Sequence, residues 1–304
     1  MQIKTIQKTI KAKLEEWLAT ITDETLRKEV KDNLLVSGGC ISSMLLGEPV
    51  NDFDIYLMNM DVLKKLAIYY TSGIKSIKLL DGREKESYNF IEEAGTAESD
   101  INGNANWNVS LRNLKEDQIK LYFEDSKSGL KVNENLEKEK LNYTPLFFSP
   151  NAISLSNDLQ IVLRFWGNAE QVHKTFDFVH ATNYFTYKEG LVRNLLAVES
   201  ILTKQLKYQG SCYPLTSIIR VKKFLKKGFN ITAGELLKIM FQISSLDLNN
   251  PDVLEEQLIG VDIAYFGMVI EALRTKYESE PDFKLTSEYI NTLIDRIFSE
   301  EEIN

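Results

Sequence analysis

Several features that would narrow the function are scarce or absent in these 304 residues. The chain has only two cysteines, Cys40 and Cys212, far apart in sequence, which argues against a disulfide-stabilised fold and favours a reducing compartment, the cytoplasm. No apolar run reaches the roughly eighteen residues that a membrane-spanning helix needs, so we expect no membrane partner. The N-terminal segment also lacks the apolar stretch of a signal peptide.

Basic residues do not dominate either: 36 Lys and Arg stand against 44 Asp and Glu, a net charge of −8. This balance argues against broad, nonspecific binding of nucleic acid but leaves room for one local basic groove. His173 and His180 are the only histidines, and their spacing does not resemble that of zinc ligands. The hydrophobic content of 43% and the length fit a globular protein of two domains or one large one.

One stretch, VSGGCISSMLLGEPVNDFDIYL at residues 36–57, combines two parts of a phosphoryl-transfer site. Its glycine pair, Gly38 and Gly39, lies between a predicted strand and a predicted helix, where the backbone can come close to a phosphate. Asp52 and Asp54 are two residues apart at a strand, so their carboxylates project from one face. Such carboxylates bind Mg²⁺, although a turn and an N-cap are the alternative interpretation of the two acids.

The spacing of these residues resembles the nucleotidyltransferase superfamily, closest to the head domain of bacterial poly(A) polymerases and CCA-adding enzymes. That signature, GG-x-V-R-D-x-L-L-G-R followed by D-x-D, is in register with Gly38–Gly47 and with Asp52 and Asp54. The Arg-Asp pair of the family, which helps to hold the triphosphate, is Ser42-Ser43 here. The resemblance implies Mg²⁺ as cofactor, a nucleoside triphosphate as substrate, and an acceptor such as the 3′ end of tRNA or another RNA.

A complete site of this superfamily needs a third carboxylate on a neighbouring strand. We predict Asp177, in the predicted strand Phe176–Phe178, because a charge between two aromatic residues needs a partner such as a metal ion. A second alignment, to the D-F-T-x-N-A motif of poly(A) polymerases, instead makes Asp177 an organiser of the nucleotide pocket. The third acid would then lie on the strand from Leu159, which offers Gln160 and no acid. Arg164 is predicted to bind a phosphate or, alternatively, to pair with Asp177.

A second motif is a basic helix predicted over Pro214–Lys227. Arg220, Lys223 and Lys227 recur at spacings of three and four and share one face, opposite a predicted apolar face. The segment resembles P-x-R-x-x-R-x-x-R-F-A-x-x-x-G-F, which follows the catalytic head in the CCA-adding family. The resemblance implies contact with RNA, and an ordinary solvent-exposed lysine face is the alternative.

The order of predicted elements indicates an α+β fold. Residues 1–185 are predicted to form a nucleotidyltransferase-type mixed sheet with flanking helices and an insertion at about 81–150, and residues 186–304 an all-α region. The leading hypothesis for function is Mg²⁺-dependent transfer of a nucleotide to a hydroxyl group. The alternative is a catalytically lapsed nucleotidyltransferase fold that serves as a binding or structural protein, for example in a phage. The Ser42-Ser43 pair supports that alternative.

Overall fold

A computed structural model describes residues 2–72, strand segments between 77 and 132, residues 142–248 and 250–257, and single positions between 273 and 295. The chain divides into two compact units, Met1–Thr203 and Lys204–Asn304. The predicted boundary at residue 185 lies inside a strand, Tyr184–Thr186, which pairs with Gly190–Val192 as a hairpin of the main sheet. The first unit therefore extends beyond the predicted boundary.

Four helices lie in the first part of the chain: α1 (Ile3–Thr20), α2 (Glu24–Asn33), α3 (Gly39–Leu46) and α4 (Met60–Ser72). The periodic apolar residues of α1 explain its position, because Ile6, Ile10, Leu14 and Trp17 are fully buried. The side chain of Asp23 caps α2 by accepting hydrogen bonds from the first-turn N–H groups.

Ten strands form one mixed sheet in the order β13-β12-β1-β2-β11-β10-β9-β8-β3-β4. Among the described residues the strands are β1 (Leu34–Ser37), β2 (Phe53–Leu57), β3 (Ile77–Leu79), β4 (Glu84–Lys85), β5 (Tyr88–Ile91), β6 (Trp107–Lys115), β7 (Gln118–Phe123), β8 (Leu130–Val132), β9 (Pro145–Phe148), β10 (Ala152–Leu155), β11 (Leu159–Val162), β12 (Tyr184–Thr186), β13 (Gly190–Val192), β14 (Gln205–Leu206) and β15 (Asn230–Ile231). Strands β2 and β11 pair in parallel, and the other described pairs of this sheet are antiparallel. The predicted mixed sheet with flanking helices is confirmed.

The two faces of this sheet differ in what covers them. On one face, Val36, Ile55 and Ile161 belong to the main core together with residues of α1 to α4. On the other face, a smaller cluster around Leu35 and Tyr56 packs against α5 (Ala169–His173). On this second face Asp54 and Gln160 are half-exposed, whereas Ser37 is fully buried.

Two local predictions were wrong. In place of the predicted strand Phe176–Phe178 there is a bend at Asp177 and a single bridge residue, Phe178, and a 3-10 helix, Val179–Ala181, follows. The predicted helix from Gly190 begins instead as β13, and α6 covers only Leu195–Thr203. Gly190 has a φ of 70°, a left-handed conformation that turns the chain into the hairpin with β12.

The predicted insertion at about 81–150 is not one separate excursion. Strands β8 and β9 belong to the large sheet, while β5, β6 and β7 form a three-stranded sheet of their own. Strand β4 also belongs to the large sheet, and residues 92–106, 124–129 and 133–141 lie outside the described residues.

The second unit contains α7 (Pro214–Lys226), α8 (Ala233–Ser244) and α9 (Pro251–Gln257). Strands β14 and β15 pair in parallel, so the region predicted as all-α also holds a short sheet. Across the described part of the chain, none of the helices is long and apolar enough to cross a membrane.

Candidate functional site

The glycine pair forms the turn between β1 and α3, and its two members have different roles. Gly38 is buried with a φ of 101°, and a Cβ atom there would lie 3.0 Å from Oδ2 of Asp54. Only glycine therefore fits beneath this carboxylate without strain. Gly39 is exposed, and a Cβ atom on it would have no neighbouring atom within 4 Å. The open space expected above a phosphate-binding helix start is thus at Gly39.

Asp54 lies on β2 between register partners on both sides, Ser37 of β1 and Gln160 of β11. Its side chain is half-exposed, and Asp52, just before the strand, is exposed. Burial raises the pKa of the Cys40 thiol, and the charges of Asp54 and Asp52 raise it further. Both carboxylates are therefore near enough to the first turn of α3 to act on its electrostatics, and the thiol stays protonated.

The hydroxyl of Ser37, the last residue of β1, joins the glycine turn to the segment after α5. It lies 2.9 Å from Nε2 of His173, 2.9 Å from the carbonyl oxygen of Asn183 and 3.3 Å from that of Ala181. The backbone N–H of Gly38 also donates to the Ala181 carbonyl, at 3.1 Å. The N–H of Gly38, which we predicted to bind phosphate, is therefore used inside the protein.

The imidazole of His173 is uncharged at neutral pH and shares a hydrogen bond with the Ser37 hydroxyl. Burial lowers the pKa of His173 to about 4. The rings of Phe176 and Tyr184 lie against it, with centroids 5.3 and 5.7 Å away. When the Ser37 hydroxyl donates to one of these carbonyls, Nε2 of His173 carries the ring proton and donates to the Ser37 oxygen.

Ser42 and Ser43, predicted to handle the triphosphate, are 5% and 6% exposed. The hydroxyl of Ser42 donates to the carbonyl of His180 at 2.7 Å. This bond holds α3 against the 3-10 helix, so Ser42 has a packing role where the resemblance implied contact with substrate.

Asp177 and Arg164, the predicted third carboxylate and the predicted phosphate ligand, are both buried in the structure. Asp177 is 9% exposed and lies in a bend rather than on a strand. Arg164 is 3% exposed and donates from Nη1 to Oδ1 of Asn151 at 3.2 Å. It follows the C-terminal end of β11, four residues and about 13 Å along the chain from Gln160, the partner of Asp54. Its guanidinium is held by Asn151 inside the protein.

The predicted triad of Asp52, Asp54 and Asp177 is not assembled. Within the described residues, no group of three or more His, Cys, Asp and Glu side chains could hold a metal ion. A Mg²⁺ site does not need three protein ligands, because Mg²⁺ is commonly bound by one or two carboxylates together with waters and substrate phosphates. Asp52 and Asp54 beside the open start of α3 meet that requirement.

Two residues near the site were missed as site residues in the sequence. Gln160 is the direct neighbour of Asp54 across the parallel pair, although the sequence indicated only a strand without an acid. Asp158 has a φ of 54°, and its carbonyl accepts a hydrogen bond from the N–H of Phe53 at 2.8 Å. No local signal points to either residue, because the pairing of β2 with β11 joins distant segments.

Arg220, Lys223 and Lys227, predicted to bind RNA, lie along or just after α7 in the second unit. Lys223 is exposed, and Arg220 and Lys227 are half-exposed. The predicted apolar face is only partly buried, because Ile218 and Leu225 on it are 48% and 47% exposed.

Comparison of the sequence with known families agrees with this division of the chain. A sequence model of the Gabija anti-defense 2 family matches residues 8–204, more than half of the chain. The chain belongs to the Gabija anti-defense 2 family. The match ends beside the boundary of the first unit, Met1–Thr203, so the candidate site lies in the part that defines the family.

A curated member of this family, Gabija anti-defense 2 of Bacillus phage SPbetaL7, is 20% identical over 285 residues. The aligned region covers 93% of this chain and 54% of that relative, so the chain spans about half the length of the relative.

Solved CCA-adding enzymes are also similar to the chain. The Thermotoga maritima enzyme complexed with tRNA has a TM-score of 0.36 and 13% identity, over 95% of this chain and 62% of that one. The Bacillus stearothermophilus enzyme in complex with CTP has a TM-score of 0.36 and 12% identity, over 84% and 51%. These values are too low to support a statement about activity.

Proposed function

We propose that this member of the Gabija anti-defense 2 family counteracts Gabija defence as a nucleotidyltransferase. The observation that carries the proposal is the position of the Asp54 carboxylate, which lies over Gly38 beside the open N-terminus of α3. A helix start binds phosphate through its unpaired N–H groups, and carboxylates beside it bind the cation that accompanies a triphosphate.

In this proposal Asp52 and Asp54 hold Mg²⁺, and the first turn of α3 from Gly39 binds phosphate oxygens. The cation, when bound, neutralises charge on the transferred phosphoryl group and on the leaving pyrophosphate. The hydroxyl oxygen of the acceptor bonds to the α-phosphorus, the bond to the β-phosphate breaks, and pyrophosphate leaves. The hydroxyl proton passes to solvent. The acceptor is an RNA 3′ end, a protein side chain or a small molecule.

The experiment compares wild type with Asp54→Asn in two assays. One measures transfer from α-labelled nucleoside triphosphates, and the other measures phage plating on bacteria that carry Gabija. We expect Asp54→Asn to lose at least 100-fold in transfer and to lose protection of the phage, with an unchanged melting temperature, because a half-exposed ligand contributes charge rather than packing. Equal transfer by the two proteins contradicts the proposal.

A second candidate function is binding without catalysis, and specific observations favour it. Ser42 and Ser43 are buried where the resembled family has its Arg-Asp pair, and Gln160 replaces an acid beside Asp54. In that case Asp54→Asn protects the phage as well as wild type does.

A further inference from the structure

A row of polar side chains crosses the large sheet at the level of Asp54. Ser37 on β1, Asp54 on β2, Gln160 on β11 and Ser154 on β10 are successive register partners. Register partners project from the same face of a sheet, and neighbouring strands are about 4.8 Å apart. The side chain of Gln160 is therefore the nearest one to Asp54 on the β11 side, and both are half-exposed.

The amide of Gln160 is oriented by the next strand. Its Nε2 donates to Oγ of Ser154 at 3.3 Å, and β10 lies on the side of β11 away from β2. Ser154 therefore contacts the amide nitrogen of Gln160 and not its amide oxygen. Oxygen is the ligand atom that Mg²⁺ and Mn²⁺ select.

The charge of the site fits one divalent cation. Asp52 and Asp54 supply two negative charges, and Gln160 adds a donor oxygen without a third. Before nucleotide binds, two divalent cations roughly 3.5–4 Å apart would bring four positive charges to a site with these two negative charges. Within the described part of the chain, no third acid, His or Cys joins the pair.

We propose that Gln160 is a neutral ligand of a single divalent cation that Asp52 and Asp54 bind, and that Ser154 is the positioning residue for its amide. This inference rests on the proposed function, since it uses the same cation. It adds two statements to the proposed function: the site binds one cation, and Gln160 is its third protein ligand.

Binding of Mn²⁺ by the full chain tests this, measured by electron paramagnetic resonance without nucleotide and again with inorganic triphosphate. We expect wild type to bind one Mn²⁺. Gln160→Met, which keeps the size of the side chain, weakens binding about tenfold or more, and Ser154→Ala causes a smaller loss. Gln160→Glu tightens binding about tenfold or takes up a second ion, because it adds a charge. Gln209→Met, an exposed position of the second unit, is the matched control and leaves binding unchanged.

Asp54→Asn separates the two proposals. If it abolishes Mn²⁺ binding while Gln160→Met and Gln160→Glu bind like wild type, Gln160 is not a ligand, and the proposed function stands. If Asp54→Asn binds Mn²⁺ like wild type, the metal site of the proposed function is wrong, and this inference falls with it. Thermal melts check that each variant folds. If Gln160→Met does not fold, Gln160→Glu alone decides: tighter binding or a second ion supports the ligand role, and unchanged binding overturns it.

Discussion

At the scale of single residues, the glycine turn shows how two adjacent glycines serve different purposes. Gly38 combines a positive φ with the Asp54 carboxylate directly above it, while Gly39 has open space above it. The first is needed for the fold of the turn, and the second is needed for access to the helix start. A motif alone does not distinguish the two requirements.

The two glycines therefore respond differently to substitution. Gly38→Ala lowers the free energy of unfolding by about 1–3 kcal/mol, because alanine disfavours this φ and its Cβ meets Asp54. Gly39→Val keeps the fold but abolishes triphosphate binding, because its side chain fills the space above α3. Urea denaturation measures the destabilisation by Gly38→Ala, and calorimetry with ATP measures the loss of binding by Gly39→Val. Tight ATP binding by a folded Gly39→Val protein contradicts a phosphate site at α3.

His173 gives a prediction for pH. Its pKa in the folded protein is about 4, below the value of 6.5 of an unperturbed histidine. The unfolded chain thus binds a proton at His173 that the folded chain does not, so stability from this group is complete above pH 6.5 and falls as the pH drops towards 4. The His173→Gln variant retains an N–H donor for Ser37 and should lose less stability than wild type between pH 7 and pH 5. Denaturation at both values measures this, and equal losses argue against a depressed pKa.

At the scale of elements, α7 concentrates positive charge in an acidic protein. Residues 204–250 carry eight Lys and Arg against two Asp and Glu, in a chain with a net charge of −8. The exposed surface of α7 also includes Ile218 and Leu225. The basic residues can supply phosphate contacts, whereas exposed Ile and Leu side chains are not specific to RNA binding.

We therefore propose RNA phosphate contact by Arg220, Lys223 and Lys227. Replacing Lys223 and Lys227 by Gln should weaken RNA binding for all sequences and reduce the slope of log K against log salt by about two, roughly one per lost phosphate contact. Titrations at several salt concentrations measure the slope, and Lys238→Gln on α8 is a single-lysine control. An unchanged slope leaves α7 as a solvated face and favours a protein or small-molecule acceptor.

At the scale of the whole molecule, the candidate site and the main core belong to one unit. The residues of the main core run from Ile6 to Phe185, within Met1–Thr203. A unit with its own core can fold alone. We expect a fragment of residues 1–203 to unfold cooperatively and to bind Mn²⁺ like the full chain. Calorimetric melting and Mn²⁺ titration of the fragment check this, and a fragment without a melting transition shows that the second unit is required.

Local patterns in the sequence were sufficient for much of the fold and for part of the site. The period of α1, the limits of β2 and the glycine pair before α3 follow from neighbouring residues, because helix and strand periodicity and turn chemistry act over short distances. Asp52 and Asp54 share a face for the same reason. The predictions failed at Phe176–Phe178 and after Gly190, where contacts with other strands or helices override local preference.

Only the tertiary structure decided which residues surround Asp54. Gln160 became its neighbour through the parallel pairing of β2 with β11, and a shift of one residue in that register would place another side chain there. Ser42 was drawn into a hydrogen bond with the carbonyl of His180, 138 residues away along the chain. Asp177 lies in a bend rather than on a strand, and no group of three acids that could hold a metal ion forms among the described residues. The sequence by itself determined the two carboxylates and the helix start, because these are local; the third neighbour depends on strand register, which is set by packing between distant segments.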